Sequence, residues 1–277
     1  MGSDGFALTP KSALEWPRRS LHLYEEIVTY HPDICCFQEV DKFQDFSNLL
    51  GPLGLVGLFQ NKPDSPCLYQ KGNSGPDGCA IFWKKSLFRM KNYQRIVLKL
   101  DDGQDSNQVV LFVFLEGLNG SSLCGKEILI AATHLKAKPN WSEVRYQQGK
   151  YLEQELRRAA GDRPVILCGD FNAEPTEKVV NVMKSSPLSL CSAYTLMDKN
   201  KEEPPYTTWK IRRNKDSTNH EVCHTIDYIF FSNKRAKCLQ LLAFPTGEEM
   251  GEVKLPSLAY PSDHLSLVAD FTFHGSS

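Results

Sequence analysis

Five short apolar stretches of the sequence meet polar residues whose types can do chemistry. Residues 33–38 lead to Gln38, Glu39 and Asp41, and residues 127–133 lead to Thr133, His134 and Lys136. Residues 164–168 lead to Gly169, Asp170, Phe171 and Asn172. His224 to Asp227 run into a fourth stretch, and Ser262, Asp263 and His264 into a fifth. In sheet proteins, functional groups gather at strand ends and the loops beside them. Glu39, Asp170 and Asp263 are hard oxygen ligands suited to Mg2+ or Mn2+. Asn172 can orient a water or a phosphate oxygen. His134 and His264 can meet negative charge that develops on a phosphoryl group. Asp227 can hold one imidazole in tautomer and orientation. No serine or cysteine nucleophile motif accompanies them, so the set favours metal-assisted attack by water on a phosphate ester. Singly, each residue has a plainer reading: Glu39 as a solvated acid, His134 as a satisfied core histidine, Asp170 and Asn172 as an Asx turn. Their joint appearance at successive strand ends is what the plain readings explain poorly.

These residues need a framework, and the sequence supplies strand-like and helix-like segments in alternation. Leu21, Tyr24, Ile27 and Val28 have helical spacing over 17–30, with Pro17 acceptable in the first turn. The runs at 33–38, 79–83, 108–115, 127–133 and 164–168 predict buried strands. Val144, Gln148, Tyr151, Leu152 and Leu156 predict an amphipathic helix over 144–160, ended by Gly161. A further helix is expected after a Thr176 cap, through Val179, Val180 and Met183. Strands at 226–231 and 265–271 close the chain. The polar stretches 62–78, 100–107, 198–204 and 212–221 read as surface loops. Such alternation implies helices covering sheet faces.

Composition removes several alternatives. The chain has 277 residues, is 41% hydrophobic and 23% charged, and carries a net charge of −1. That is globular composition, and the length fits one domain over 1–277. A global basic field for nucleic acid is excluded, though a local basic rim is not. No apolar run is long enough to span a bilayer, and no secretory signal pattern opens the sequence. The nine cysteines include no Cys-x-x-Cys pair and read as reduced thiols. Cys223 and His224 lack a second pair at zinc spacing, which disfavours a zinc site.

Gln38-Glu39, Thr133-His134, Gly169 to Asn172, Asp227-Tyr228 and Ser262 to His264 together resemble the exonuclease–endonuclease–phosphatase superfamily. DNase I, apurinic endonucleases, inositol phosphatases and deadenylases belong to it. The resemblance implies an α/β sandwich of four layers, two mostly antiparallel sheets flanked by helices. Lys62 to Cys67, Gly75 to Ala80, Thr133 to Ala137, Gly169 to Thr176, Pro204 to Lys210 and Tyr260 to His264 resemble one branch related to the deadenylases. Two departures stand out. That branch opens with a strand carrying Trp-Asn-x-Leu, and Met1 to Phe6 fall after the point where the strand should end. The expectation is therefore a domain without its first strand, whose neighbour's backbone groups are exposed. Lys138 stands where the branch usually has arginine, keeping the charge but losing the bidentate fork.

What the resemblance implies for chemistry is as follows. Glu39, with Asp263 nearby, holds Mg2+ or Mn2+ against a phosphate oxygen. Asp170 positions and deprotonates the water, and Asn172 orients it. His264, held by Asp227, stabilises the phosphoryl transition state, and His134 binds the phosphate. The branch is understood to remove the 2′-phosphate of NADP+ and NADPH, and its catalytic set also resembles that of poly(A) deadenylases, which act on RNA. Lys62, Lys136 and Lys138 form a compact positive cluster suited to a dinucleotide, whereas a deadenylase needs a longer basic track with aromatic platforms. The nearest such run is Lys210 to Arg213. Asn107 and Trp209 are candidates for adenine or ribose contact. No Gly-x-Gly-x-x-Gly occurs, so the dinucleotide is expected as substrate and not as redox cofactor. A catalytically impaired module that only binds RNA or nucleotide is the non-enzymatic alternative. A monomer is the default, and the resemblance implies a cytoplasmic location with mitochondria as a second site.

Overall fold

A computed structural model describes residues 5–214 and 216–273. In chain order the helices are α1 (Lys11–Leu14), α2 (Trp16–Tyr30), α3 (Phe43–Leu50), α4 (Ser142–Ala160) and α5 (Lys178–Lys184). The strands are β1 (Ile34–Val40), β2 (Leu55–Asn61), β3 (Gly78–Lys84), β4 (Phe88–Lys99), β5 (Asp105–Gly117) and β6 (Glu127–His134). They continue with β7 (Val165–Asp170), β8 (Leu190–Ser192), β9 (Thr208–Arg213), β10 (Asn219–His224), β11 (Asp227–Ser232), β12 (Ala236–Leu241) and β13 (Ala269–Phe273).

The larger sheet has the order β4-β5-β6-β7-β11-β8 and is antiparallel except where β6 meets β7. The smaller one has the order β1-β3-β2, so β1 has a strand partner on one side only among the described residues. Alternation along β5 explains the layering. Val109, Leu111, Val113 and Leu115 face the smaller sheet and meet Cys79, Ile81 and Trp83 of β3. Val110, Phe112 and Phe114 face the other way, under Leu152 and Leu156 of α4 and Val179, Val180 and Met183 of α5. The outer face of the smaller sheet packs Phe82, Ala80 and Cys35 against Phe46 and Leu50 of α3 and Leu23 and Ile27 of α2. β12 and β13 pair with each other and add Ala236 and Phe271 to the middle core. The result is helix, sheet, sheet, helix, the four-layer DNase I-like sandwich that the family resemblance implies.

Several elements differ from the sequence reading. Glu177, not Thr176, precedes α5. The last strand begins at Ala269, because residues 262–268 form the loop that carries His264 to the site. The stretch 212–221 contains the ends of the β9–β10 hairpin. β2, β4, β8, β9, β10 and β12 were not expected; β4 shows why, since much of its length is exposed and polar. No described helix is long and apolar enough to cross a membrane.

Candidate active site

Strand register builds the centre of the site. β6 and β7 run parallel with His134 opposite Asp170, and β7 and β11 run antiparallel with Asp227 opposite Asp170. Three side chains therefore stand in one row across three strands. Gly169 permits this closeness, since a Cβ there would lie 2.5 Å from the Thr133 carbonyl oxygen.

The loop before β13 brings His264 onto the row. Its Nδ1 donates to the Asp227 carboxylate at 2.9 and 3.0 Å, and its Nε2 lies 4.0 Å from Asp170 Oδ2. Thr207 donates to Asp227 Oδ2 at 2.5 Å and accepts from the Ile226 and Asp227 amides. Burial opposes a charge on His264, but Asp227, Asp170 and Asp263 outweigh it and raise the imidazole to about 10. Burial and then Asp227 raise Asp170 to about 6, against the pull of His134 and His264. Such a carboxylate is ionised at neutral pH yet basic enough to take a proton.

Asn172 adopts a φ of 50°, and its amide nitrogen donates to Asp170 Oδ1 at 2.7 Å. Its Nδ2 donates to His134 Nε2 at 2.9 Å and to the Leu135 carbonyl at 3.1 Å. Burial lowers the His134 pKa and keeps the ring neutral. With Nε2 accepting, Nδ1 carries the proton, a buried donor with no partner among the described residues.

Glu39 is placed by a bulge. The β1–β3 register shifts between Phe37 and Val40, and Glu39 takes a φ of 53°. The bulge leaves an exposed carboxylate at the sheet end, a common device beside active sites. Surrounding protein and then Asp263 raise its pKa, while Lys62 and His264 oppose the rise. Burial opposes the charge on Asp263, but His264, Lys210 and Arg212 hold it down at about 2. Lys210 Nζ donates to Asp263 Oδ2 at 2.5 Å and lies 3.1 Å from His264 Nε2. A hard divalent cation fits this donor set. An open glutamate crowded by a second carboxylate is eased by positive charge, and Asp170 and Asp227 add carboxylate oxygens within 4.8 Å of each other.

The expected binding residues differ in placement. Lys62 is buried and donates to Asp77 Oδ2 at 2.6 Å, while Ser65 donates to the other oxygen of Asp77. Lys136 lies 5.4 Å over the Trp141 ring, and Lys138 is exposed. Asn107 spends its amide on Asp64, donating to the carbonyl at 2.6 Å and accepting from the amide at 2.7 Å. Trp209 donates to Glu221 at 2.7 Å and lies under the Lys254 ammonium at 4.7 Å. Among the described residues, neither Asn107 nor Trp209 hydrogen-bonds to His134, Asp170, Asp227 or His264. The site also uses Thr207, Lys210, Ser65 and Asp77, which the sequence alone gave no role; Arg145, which the sequence left unremarked, lies outside the site and beneath the loop that follows β6. Arg145 had one signal: it shares a helical stripe with Gln148, Leu152 and Leu156, so a charge falls on the buried face of α4.

Comparison with known proteins shows the family. A model of the Endonuclease/Exonuclease/phosphatase family matches residues 2–264. Nocturnin of Xenopus laevis is 43% identical over 277 residues, which cover 99% of this chain and 69% of that protein. The human nocturnin catalytic domain with bound sulfate anion superposes with a TM-score of 0.82 at 41% identity, over 98% of this chain and 92% of that one. The Ccr4 3′-5′-exoribonuclease subunit of the Saccharomyces cerevisiae CCR4-Not complex is more distant, 26% identical over 97% of this chain and 36% of its own length. The chain belongs to the endonuclease/exonuclease/phosphatase family, in its nocturnin branch. It spans 44% to 69% of the length of the curated nocturnins it matches.

Proposed function

We propose that this chain is a Mg2+-dependent phosphatase that removes the 2′-phosphate of NADP+ and NADPH, giving NAD+ and NADH. The single observation that carries the reading is the Asp170–Asp227–His264 cluster beside neutral His134, which sets a base next to a cation. Asp170 takes the proton of an attacking water that Asn172 helps to hold. His264, charged and oriented by Asp227, balances charge developing on the phosphoryl oxygens. His134, neutral and tied to Asn172 through Nε2, is the histidine assigned to the phosphate. Glu39, with Asp263 beside it, would hold Mg2+ or Mn2+, which supplies charge neutralisation at the phosphate.

The dinucleotide is favoured by what surrounds the cluster. Lys62 is neutralised by Asp77, and Lys210 and Arg212 face Asp263, so these three form no open track for a long polyanion. Lys136 and Lys138 suffice for a few phosphates. The more distant similarity to Ccr4 supports a second reading, a 3′-exoribonuclease acting on poly(A).

The test is phosphate release from NADPH with Mg2+, run beside shortening of 5′-labelled poly(A), for the wild type and Glu39→Ala. Release from NADPH that the variant abolishes, with poly(A) intact, is the expected result. Shortened poly(A) without free phosphate would replace the dinucleotide reading with the exonuclease one.

A further inference from the structure

Arg145 is wholly buried on the sheet-facing side of α4, and its guanidinium works in two directions. Nη1 donates to the carbonyl of Lys136 at 3.0 Å and to that of Lys138 at 2.7 Å. Nε and Nη2 hold both carboxylate oxygens of Glu177 at 2.8 to 3.1 Å. Gln148, also fully buried, accepts from the Lys136 amide at 3.0 Å. The segment that leaves β6 just after His134 is thus tied to α4 at both of its lysines.

That segment needs tying. Lys138 has a φ of 81° and a ψ of 143°, in a region where a side chain is strained and glycine is at ease. A lysine persists in such a conformation only where its surroundings hold it. A buried guanidinium is also a costly way merely to stabilise a helix, since apolar side chains fill such positions at no charge penalty. Arginine is suited to the task because its planar fork reaches two carbonyls and a carboxylate at once, and lysine's single ammonium cannot.

We propose that Arg145, fixed by Glu177, is a positioning residue for substrate. It holds the strained turn so that Lys136 and Lys138 stand at a set distance from the catalytic row and meet the anionic part of the substrate remote from the scissile phosphate. The choice of probe rests on the dinucleotide reading; the geometry of the clamp does not. Phosphate in a pyrophosphate linkage is the chemistry these two ammonium groups would recognise.

The experiment compares NADPH with adenosine 2′-monophosphate, which has the scissile phosphate and no second anionic group. Arg145→Lys and Glu177→Gln are assayed with Mg2+, with the melting midpoint recorded for each. Glu177→Gln keeps the arginine in place, so it remains informative if Arg145→Lys does not fold. The expected result is a KM for NADPH raised about tenfold with kcat within about threefold, and a kcat/KM for the monophosphate within about twofold of wild type. A fall in kcat on both substrates at unchanged KM would overturn the proposal and leave Arg145 a purely structural residue, as would an unchanged KM for NADPH in the folded variants. If the wild type releases no phosphate from NADPH, the substrate reading fails instead, and the same split of KM against kcat on oligo(A) decides the positioning role separately.

Discussion

His134, Asp170 and Asp227 stand in register across three neighbouring strands, whereas Lys62, Lys136 and Lys138 sit on loops that individual side chains hold. The row is fixed by many backbone hydrogen bonds, and a slip of one residue would turn every side chain to the opposite face. The rim is fixed by single clamps, Asp77 with Ser65 under Lys62, and Arg145 with Glu177 under Lys136 and Lys138. On the function proposed above, the difference separates two jobs. Chemistry needs sub-ångström placement, which strand register supplies. Substrate choice tolerates looser placement, and a loop can change it without disturbing the sheet.

Substitutions in the row should strike turnover, and those in the rim should strike affinity. The largest effect is expected from Asp170→Asn, which leaves the size unchanged and removes the base. Turnover of NADPH should fall about 10³-fold or more with KM little changed. Activity within tenfold of wild type would remove Asp170 from its role. Gly169→Ala tests the register itself. Its Cβ would meet the Thr133 carbonyl at 2.5 Å and Thr133 Cγ2 at 2.9 Å, forcing β6 and β7 apart. A loss of about 1–3 kcal/mol in urea unfolding is expected, together with lowered kcat. Unchanged stability would mean the two strands tolerate more space than the row implies. Lys138→Arg should act least, lowering KM for NADPH by a few fold at constant kcat, because a fork grips a phosphate better than a point charge. A change in kcat alone would place Lys138 with the row.

The row was legible in the sequence because each member ends or begins an apolar run. His134 closes β6, Asp170 closes β7 and Asp227 opens β11, and buried strands of this kind announce themselves by composition. His264 was legible as a residue but not in its setting. It rides on an irregular loop, and Ser262 to His264 only look like the start of a strand that in fact begins at Ala269. The rim was less legible. Lysines at 62, 136 and 138 could be counted as charges, but the acid that neutralises Lys62 lies 15 residues away and no local pattern links them. Arg145 was hidden because a charged residue on a helix normally reads as solvated. β9 and β10 were hidden for a related reason: β10 is almost wholly exposed, so no apolar alternation marks it.

The pH dependence of kcat/KM for NADPH, in wild type and Asp227→Asn, bears most directly on the claim that the row performs the hydrolysis. Asp170 must be ionised to accept the water's proton, so activity should rise with pH through about 6. His264 must be protonated to balance the phosphoryl charge, so activity should hold to at least pH 9 and fall only toward about 10. Asp227→Asn removes the carboxylate that raises the imidazole, and the falling limb should then move down toward the ordinary histidine value of 6.5. A falling limb that stays in place in the variant, or a wild-type profile with no rise near pH 6, would contradict the assignment of Asp170, Asp227 and His264 to one catalytic unit.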